Sequence, residues 1–460
     1  MLTSLANEDT SRISLWRRVR EYAVPPAMIE TATARRVVGD WGGACAAAGF
    51  DVDIGMRALT RTHGRELAAA VRDDLRYLVP DLLRWHLPRI APDGMLRPGL
   101  TMALARYPTD ESRCRGSGSV LLVARTAPAW ADAGQRISLA LWDESLPGAG
   151  AALHPHRRPD RRFRLDLHRH LWDARRSDEL RMRSGAVGSG DRSVLDPELL
   201  ELMPQGFAVD RWAAEAEMLL RAAGRHAGPV LVRLGARRRV VVEFASNDPV
   251  VLRITRRYPR GSESALPVLP DAATWRPPDL DLLRAGAITA DRLHPLVAAA
   301  LVPDHVPSER FSEAGRSDQP GLVECRGERH RIGLRDGVLT ALDHDPVEVR
   351  REELLVALTG TPLPCLQAID RAHRHPDCLA GVRERLSHGD IAGALAVVEG
   401  LLGPGAQLRD GALRDELEAA ARRRVTYGMF RAGLSFCDPP AEQCRRSPYD
   451  RTNPRHAIHR

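Results

Sequence analysis

Three side chains in the stretch RFRLDLHRHLWDARRSDELR, residues 162–181, are of types that hold metals or move protons: Asp166, His168 and His170. They stand at alternate positions. On an extended backbone, side chains two residues apart point the same way. A strand here would therefore set one carboxylate and two imidazoles on one face. That donor set suits a divalent metal, and an open coordination position would make a bound water nucleophilic. On a helix, His168 and His170 would diverge by about 200° at 3.6 residues per turn, and the set would not assemble. The sequence leaves both backbones open. His154 and His156, in the loop just before, are candidate additional ligands.

The segment DLHRH, Asp166 to His170, resembles the first metal motif of the polymerase-and-histidinol-phosphatase hydrolases, and its H-x-H resembles that of the amidohydrolases. In those families the motif ends the first strand of a barrel, and later strands add more His and an Asp. The resemblance covers five residues. Here the motif begins at residue 166 and antiparallel meanders follow, so no wider ligand set is carried over.

Other constellations are poorer. The chain contains no G-x-S-x-G elbow and no H-E-x-x-H. No G-x-G-x-x-G follows a first strand, and GSGSV (116–120) precedes a strand instead. LDHDP (342–346) reads as a turn and helix cap. In CLQAIDRAHRHPDC, Asp370 and His373 share a helix face, His375 does not, and the group reads as surface. Cys437 and Cys444 have the wrong spacing for a zinc knuckle.

The basic residues number 67, and every one is Arg, because the chain has no Lys. This excludes chemistry that needs an amine: a P-loop, a kinase strand Lys, a pyridoxal Schiff base, aldolase-type imines and Ser–Lys dyads. A coding bias from Lys toward Arg accounts for the absence. The net charge of +7 is spread over 460 residues with Asp and Glu interleaved, which describes a solvated mixed-sign surface. The Arg-rich stretches 157–164, 237–239 and 253–260 are the candidates for a nucleic-acid face. Aromatic residues make up only 5% of the chain, too few for extensive base stacking.

The elements that must position these groups follow from periodicity. In HGRELAAAVRDDLRYLVPDLLRWHL, Leu67, Val71, Leu75, Leu78 and Leu82 recur every three or four residues, the stripe of a packed helix. Pro80 falls inside the pattern and predicts a break. GDWGGACA (39–46) and GDIAGALA (389–396) share G-D-x-x-G-A-x-A and read as two helix hairpins with Asp as a cap. They resemble the turn of tetratricopeptide-type helix pairs, but no 34-residue period joins them, so generic hairpins are expected. Residues 119–125, 136–144 and 161–170 alternate as strands, and the linker 144–162 is loop. PVLVRLG, RRVVVEF and PVVLRITRRY predict an antiparallel meander. GLVECRG, RHRIGL and VLTALDH predict another, with an Asp336-Gly337 hairpin turn.

The expected organisation is α+β, with short antiparallel meanders alternating with helical segments. A helical N-terminal region covers 1–110 and a β-rich segment packed with it covers 111–183. A central α+β domain follows at 194–315, then a meander plus helices at 316–435 and a disordered tail at 436–460. The longest apolar run is LVAAALV (296–302), well short of the roughly 18 residues of a membrane span. The N-terminus lacks the apolar core of an export signal. Seven scattered Cys, an odd number, describe a reduced cytoplasmic protein. With no complete catalytic set, the function expected is protein–protein interaction, as a scaffold or regulatory component without a cofactor. The alternatives are a metal-dependent hydrolase using a divalent ion on Asp166, His168 and His170, and a nucleic-acid binder using the Arg-rich stretches.

Overall fold

A computed structural model describes residues 11–109, 118–131, 135–144, 154, 156, 158–186, 194–195, 206–235, 238–245, 251–255, 262–305, 321–360 and 362–434. The architecture is α+β. Two compact units divide the chain: one spans 308–431, and the rest belongs to the other, so residues on both sides of 184–193 share a unit.

The first unit starts with helices α1 (Pro26–Val37), α2 (Trp41–Ala47), α3 (Met56–Tyr77) and α4 (Pro80–His86). The break expected at Pro80 is present: α3 stops at Tyr77, and Pro80 opens α4, where its missing N–H costs nothing. Gly64, with φ 85° and ψ 172°, kinks α3. Leu67, Val71 and Leu75 form the buried stripe.

That stripe packs on a sheet ordered β1-β6-β5-β4, with β1 Phe50–Val52, β4 Thr101–Pro108, β5 Ser119–Thr126 and β6 Ile137–Asp143. The small hairpin β2 (Arg89–Ile90) and β3 (Met95–Leu96) precedes β4. β4, β5 and β6 are antiparallel, and β1 closes the edge parallel to β6, pairing Phe50 with Ile137. All eight residues of β5 are buried, so both faces of this strand are covered. β4 lies within the region expected to be helical. Its Met, Leu and Ala are good helix formers, and pairing with β5 overrides that local preference.

Residues 161–170 do not form the expected strand. Arg164 makes one isolated bridge to Ala103, turns follow, and Arg169–Leu171 is a single 3-10 turn. The alternating Phe163, Leu165 and Leu167 mimic a strand, but hydrogen bonds from Phe163, Leu167 and His168 N–H groups back to Asp160, Arg164 and Leu165 fold the backbone on itself.

The second sheet of this unit is ordered β7-β10-β9-β8, with β7 Val194–Leu195, β8 Gly228–Arg233, β9 Arg239–Ala245 and β10 Val251–Ile254. β8, β9 and β10 form the antiparallel meander the sequence predicts. Helix α5 (Trp212–Ala222) lays Trp212, Ala216 and Leu220 on Val230, Val232, Val242 and Phe244. Helices α6 (Pro278–Arg284) and α7 (Pro295–Leu301) return to the first core through Leu282 and Val297.

In the second unit β11 (Gly321–Cys325), β12 (Glu328–Arg335) and β13 (Val338–Ala341) form the predicted meander. Asp336 and Gly337 have φ of 54° and 78°, as a two-residue type I′ turn requires. Five helices follow: α8 (Pro346–Thr359), α9 (Pro364–Arg374), α10 (Leu379–His388), α11 (Ile391–Leu402) and α12 (Ala412–Arg431). Where α11 ends, a Cβ on Gly403 would lie 1.8 Å from the Gly337 carbonyl oxygen. Only a hydrogen fits between that helix end and the hairpin turn.

The two G-D-x-x-G segments are the same local device. Gly39 and Gly389 end their helices with φ of 79° and 87°. Asp40 and Asp390 cap the next helix by accepting from Gly43 N at 2.8 Å and Gly393 N at 2.9 Å. A Cβ on Gly43 or Gly393 would fall 2.1 or 2.2 Å from the capping carboxylate, which is why the fifth position is Gly. Among the described residues, no helix is long and apolar enough to cross a membrane.

Candidate functional site

Without a strand at 162–170, the three candidate ligands separate. The Asp166 carboxylate is taken by its neighbour Arg164, at 2.8 and 2.7 Å. His168 turns into the interior, 1% exposed, with Nδ1 donating to the Arg164 carbonyl at 2.9 Å and Nε2 donating to Glu215 at 3.0 Å. His170 is also buried, its ring 5.9 Å from that of His168. The His154 ring bonds its own loop and the Thr126 carbonyl. The structure does not bring Asp166, His168 and His170 together as one ligand set.

Glu215 on α5 is the residue the histidine stretch was missing. It sits among Trp212, Ala216 and Leu219 on the packed side of that helix, 5% exposed. Arg183 reaches it at 3.0 and 2.9 Å, Arg211 at 2.8 Å and His168 at 3.0 Å. Burial pushes the Glu215 carboxyl up, but His168, Arg183 and Arg211 together pull it far below the usual carboxylate range. A buried carboxylate is tolerable only with such partners.

Several other charges of the stretch are engaged too. Arg169 and Arg175 clamp Asp173 and Asp74, and Tyr107 donates to Asp74 at 2.7 Å. Arg162 clamps Asp271 at 3.3 and 2.7 Å. Two of the Arg proposed for a nucleic-acid face, Arg162 and Arg164, are thus held in ion pairs. Residues 157, 237 and 256–260 of those stretches lie outside the described residues.

Beside the Glu215 cluster lies a cavity of about 110 Å³. Trp16, Met102, Phe163, Leu165 and Leu171 give it apolar walls. Arg12, Arg97, Arg162, Arg211 and Arg276 also line it, together with His86, His170 and Asp271. Asp271 serves Arg162, Asp281 is shared by Arg12 and Arg276, and Glu215 is shared by Arg211, Arg183 and His168. Asp160 near Arg97 and Asp210 near Arg211 add two acidic charges, so five carboxylates answer these six Arg and His168.

Three buried nitrogens of lining residues, Arg97 Nε, Arg211 Nη1 and His170 Nδ1, lack a hydrogen-bond partner. Burial, with Arg183 and His168 nearby, keeps the His170 imidazole neutral, well below the usual histidine range. Burial also lowers His86 to about 4. Burial and repulsion from Arg162 lower Arg97, and burial lowers Arg211 against the pull of Glu215. Burial raises the Asp271 carboxyl despite Arg162. A cavity with apolar walls and several Arg in its lining can accept an anion that carries an apolar body.

The remaining sequence candidates lie in the second unit. Asp345 caps α8 by accepting from Val347 N at 2.9 Å, as LDHDP implies. Asp370 is half-buried and paired with Arg374 and Arg409. His373, read as surface, is 8% exposed. It turns inward because α9 packs its strongly one-sided apolar face, including Cys365 and Ile369, toward the sheet.

Comparison with protein-family models, with curated proteins and with solved structures finds no match to the chain.

Proposed function

We propose that the first unit is a receptor for a small organic anion, a carboxylate or phosphate ester with an aromatic or aliphatic body, bound in the cavity beside Glu215. The observation that carries this is the set of five Arg side chains, Arg12, Arg97, Arg162, Arg211 and Arg276, that line a cavity with apolar walls. A guanidinium also suits a flat two-oxygen anion better than a point charge would. Because Arg does not deprotonate in the working pH range, affinity should stay level from neutral to mildly alkaline pH.

The test is a melting and calorimetry panel of aryl and alkyl carboxylates and phosphates, each beside its neutral ester or alcohol. We expect an anion to raise the melting temperature and its neutral partner to fail. Arg97→Leu should weaken binding at least tenfold, about 1.4 kcal/mol, while the protein stays folded, since among the described residues the Arg97 guanidinium forms no ion pair within 4 Å. Equal binding of neutral and charged partners, or no anion binding at all, would overturn the proposal.

A role in protein–protein contacts is a second proposal, and helix α8 favours it. Val347, Leu354 and Leu355 are 57%, 67% and 47% exposed on one short helix of the second unit. Leu354→Glu should abolish recovery of a protein partner from native lysate without changing the melting temperature. Failure of the native chain to recover any partner would remove this role. A cytoplasmic location is proposed with it, supported by the free thiols of Cys45, Cys325, Cys365 and Cys378.

A further inference from the structure

A separate cluster in the second unit joins four residues far apart in sequence. Cys325 ends β11, His330 lies on β12, His344 sits in the turn before α8, and Cys365 is in the first turn of α9. The Sγ atoms of Cys325 and Cys365 and a ring nitrogen of His344 all lie within 4.8 Å of one another. Cys325 is 0%, Cys365 1% and His344 9% exposed. Two observations at this place point to a missing ligand. His344 Nε2 is buried without a hydrogen-bond partner, and so is His330 Nδ1. The two rings stack with centroids 4.2 Å apart and planes 18° apart. Two orphaned imidazole nitrogens beside two thiols are not explained by packing alone, because an unmet polar atom in the interior is costly.

We propose that Cys325, His344 and Cys365 bind one zinc-type transition metal ion, with His330 closing the fourth position. Two sulfurs and two imidazole nitrogens are the donor set that zinc favours in tetrahedral sites. Bonds of about 2.0–2.3 Å space tetrahedral donors roughly 3.3–3.8 Å apart, so the existing cluster needs only a small contraction. His330 stacks on His344 outside the three grouped donors, so its ring would leave that stack to complete the site.

Charge balance supports the assignment. On binding, each thiol gives its proton to solvent and forms a bond to the metal. Two thiolates and one divalent cation then leave the buried site neutral, and no redox step is involved. The first turn of α9 adds a favourable field for the Cys365 thiolate.

The ion would join the end of β11, strand β12, the turn before α8 and the start of α9. It would do so where the apolar cluster is small, made of Cys325, Ile332, Ala341, Cys365 and Ile369. This assignment is independent of the anion proposal, since it concerns a different unit.

The test is metal analysis of the full chain, prepared without a polyhistidine tag, under reducing and chelator-free conditions. We expect one zinc per chain, with Cys325 and Cys365 protected from thiol reagents until a chelator is added. Cobalt substitution should give a thiolate-to-metal charge-transfer band. Cys365→Ser and His344→Ala should lose the metal, and His330→Ala should weaken binding tenfold or more without abolishing it at saturation. Full-chain circular dichroism identifies any variant that is merely unfolded, and the cobalt spectrum of native protein stands without variants. A metal-free chain with both thiols freely reactive would overturn the assignment, as would a Cys325–Cys365 disulfide found in unreduced protein. Binding untouched by His330→Ala would overturn the fourth ligand.

Discussion

Replacing Glu215 by Ala is expected to lower the unfolding free energy by about 3–5 kcal/mol, the cost of removing one partner from a buried charge cluster. The carboxylate is 5% exposed and answers His168, Arg183 and Arg211 at once. Without it, buried His168 and Arg211 and half-buried Arg183 face one another, and His168 and Arg183 lose the tie that joins residues 164–183 to α5. A shift of the urea midpoint at unchanged slope is the measurement. Glu215→Gln keeps an acceptor but not the charge, so it should fall between the native chain and Ala. A cost under about 1 kcal/mol would show that the cluster contributes little. The pH dependence has a definite sign. The folded-state carboxyl is depressed below its ordinary value of 4.5. Its contribution is therefore fully present above that value and lost as pH falls through the folded one. Glu215→Gln should lack this acid-side loss.

Asp279→Leu should be comparably damaging, again about 3–5 kcal/mol, and for a long-range reason. Asp279 is 1% exposed and accepts from Trp85 Nε1 at 2.7 Å and from Arg20 Nη2 at 3.2 Å. The Arg20 guanidinium lies 3.9 Å from the centre of the Trp85 ring, and its Nε and Nη1 have no hydrogen-bond partner. Asp279 is thus the bonded counter-ion of a cation already short of acceptors. It also ties α6 to the N-terminal helices across 259 residues. The double variant with Arg20→Met should recover much of the loss, because an apolar pair needs no counter-ion. A double variant no more stable than Asp279→Leu would show that the lost indole hydrogen bond, and not the stranded cation, dominates. Thermal melts of the four chains decide between these.

What the sequence made legible was local. The Asp336-Gly337 turn, the break at Pro80 and both G-D-x-x-G corners depend on backbone angles and caps set within about five residues. The two later meanders were legible because their strands alternate between clear turn signals. The stretch 161–170 was misleading because Phe163, Leu165 and Leu167 alternate as in a strand while the backbone coils in turns. Its chemistry was hidden for a related reason: the partner of His168 lies 47 residues away. One signal for Glu215 was available. It interrupts the stripe Trp212, Ala216, Leu219, and an acid on a packed stripe must meet a cation. Nothing comparable marked Arg97 or Arg211, since with every basic residue an Arg no single one stands out. The Cys325, His344 and Cys365 cluster was illegible because its members come from a strand end, a turn and a helix start that only tertiary packing assembles.

The contact between Gly337 and Gly403 ties strand alignment to the chemistry beside it. With only a hydrogen separating the hairpin loop from the neighbouring helix terminus, the loop cannot lengthen or migrate by one position without a collision. Such a slip would send Ile332 to the outside and swing His330 and the segment leading to His344 with it. The glycine pair thus works as a mechanical stop. Sliding of the hairpin and dispersal of the sulfur–imidazole cluster become a single event, opposed by the same few atoms.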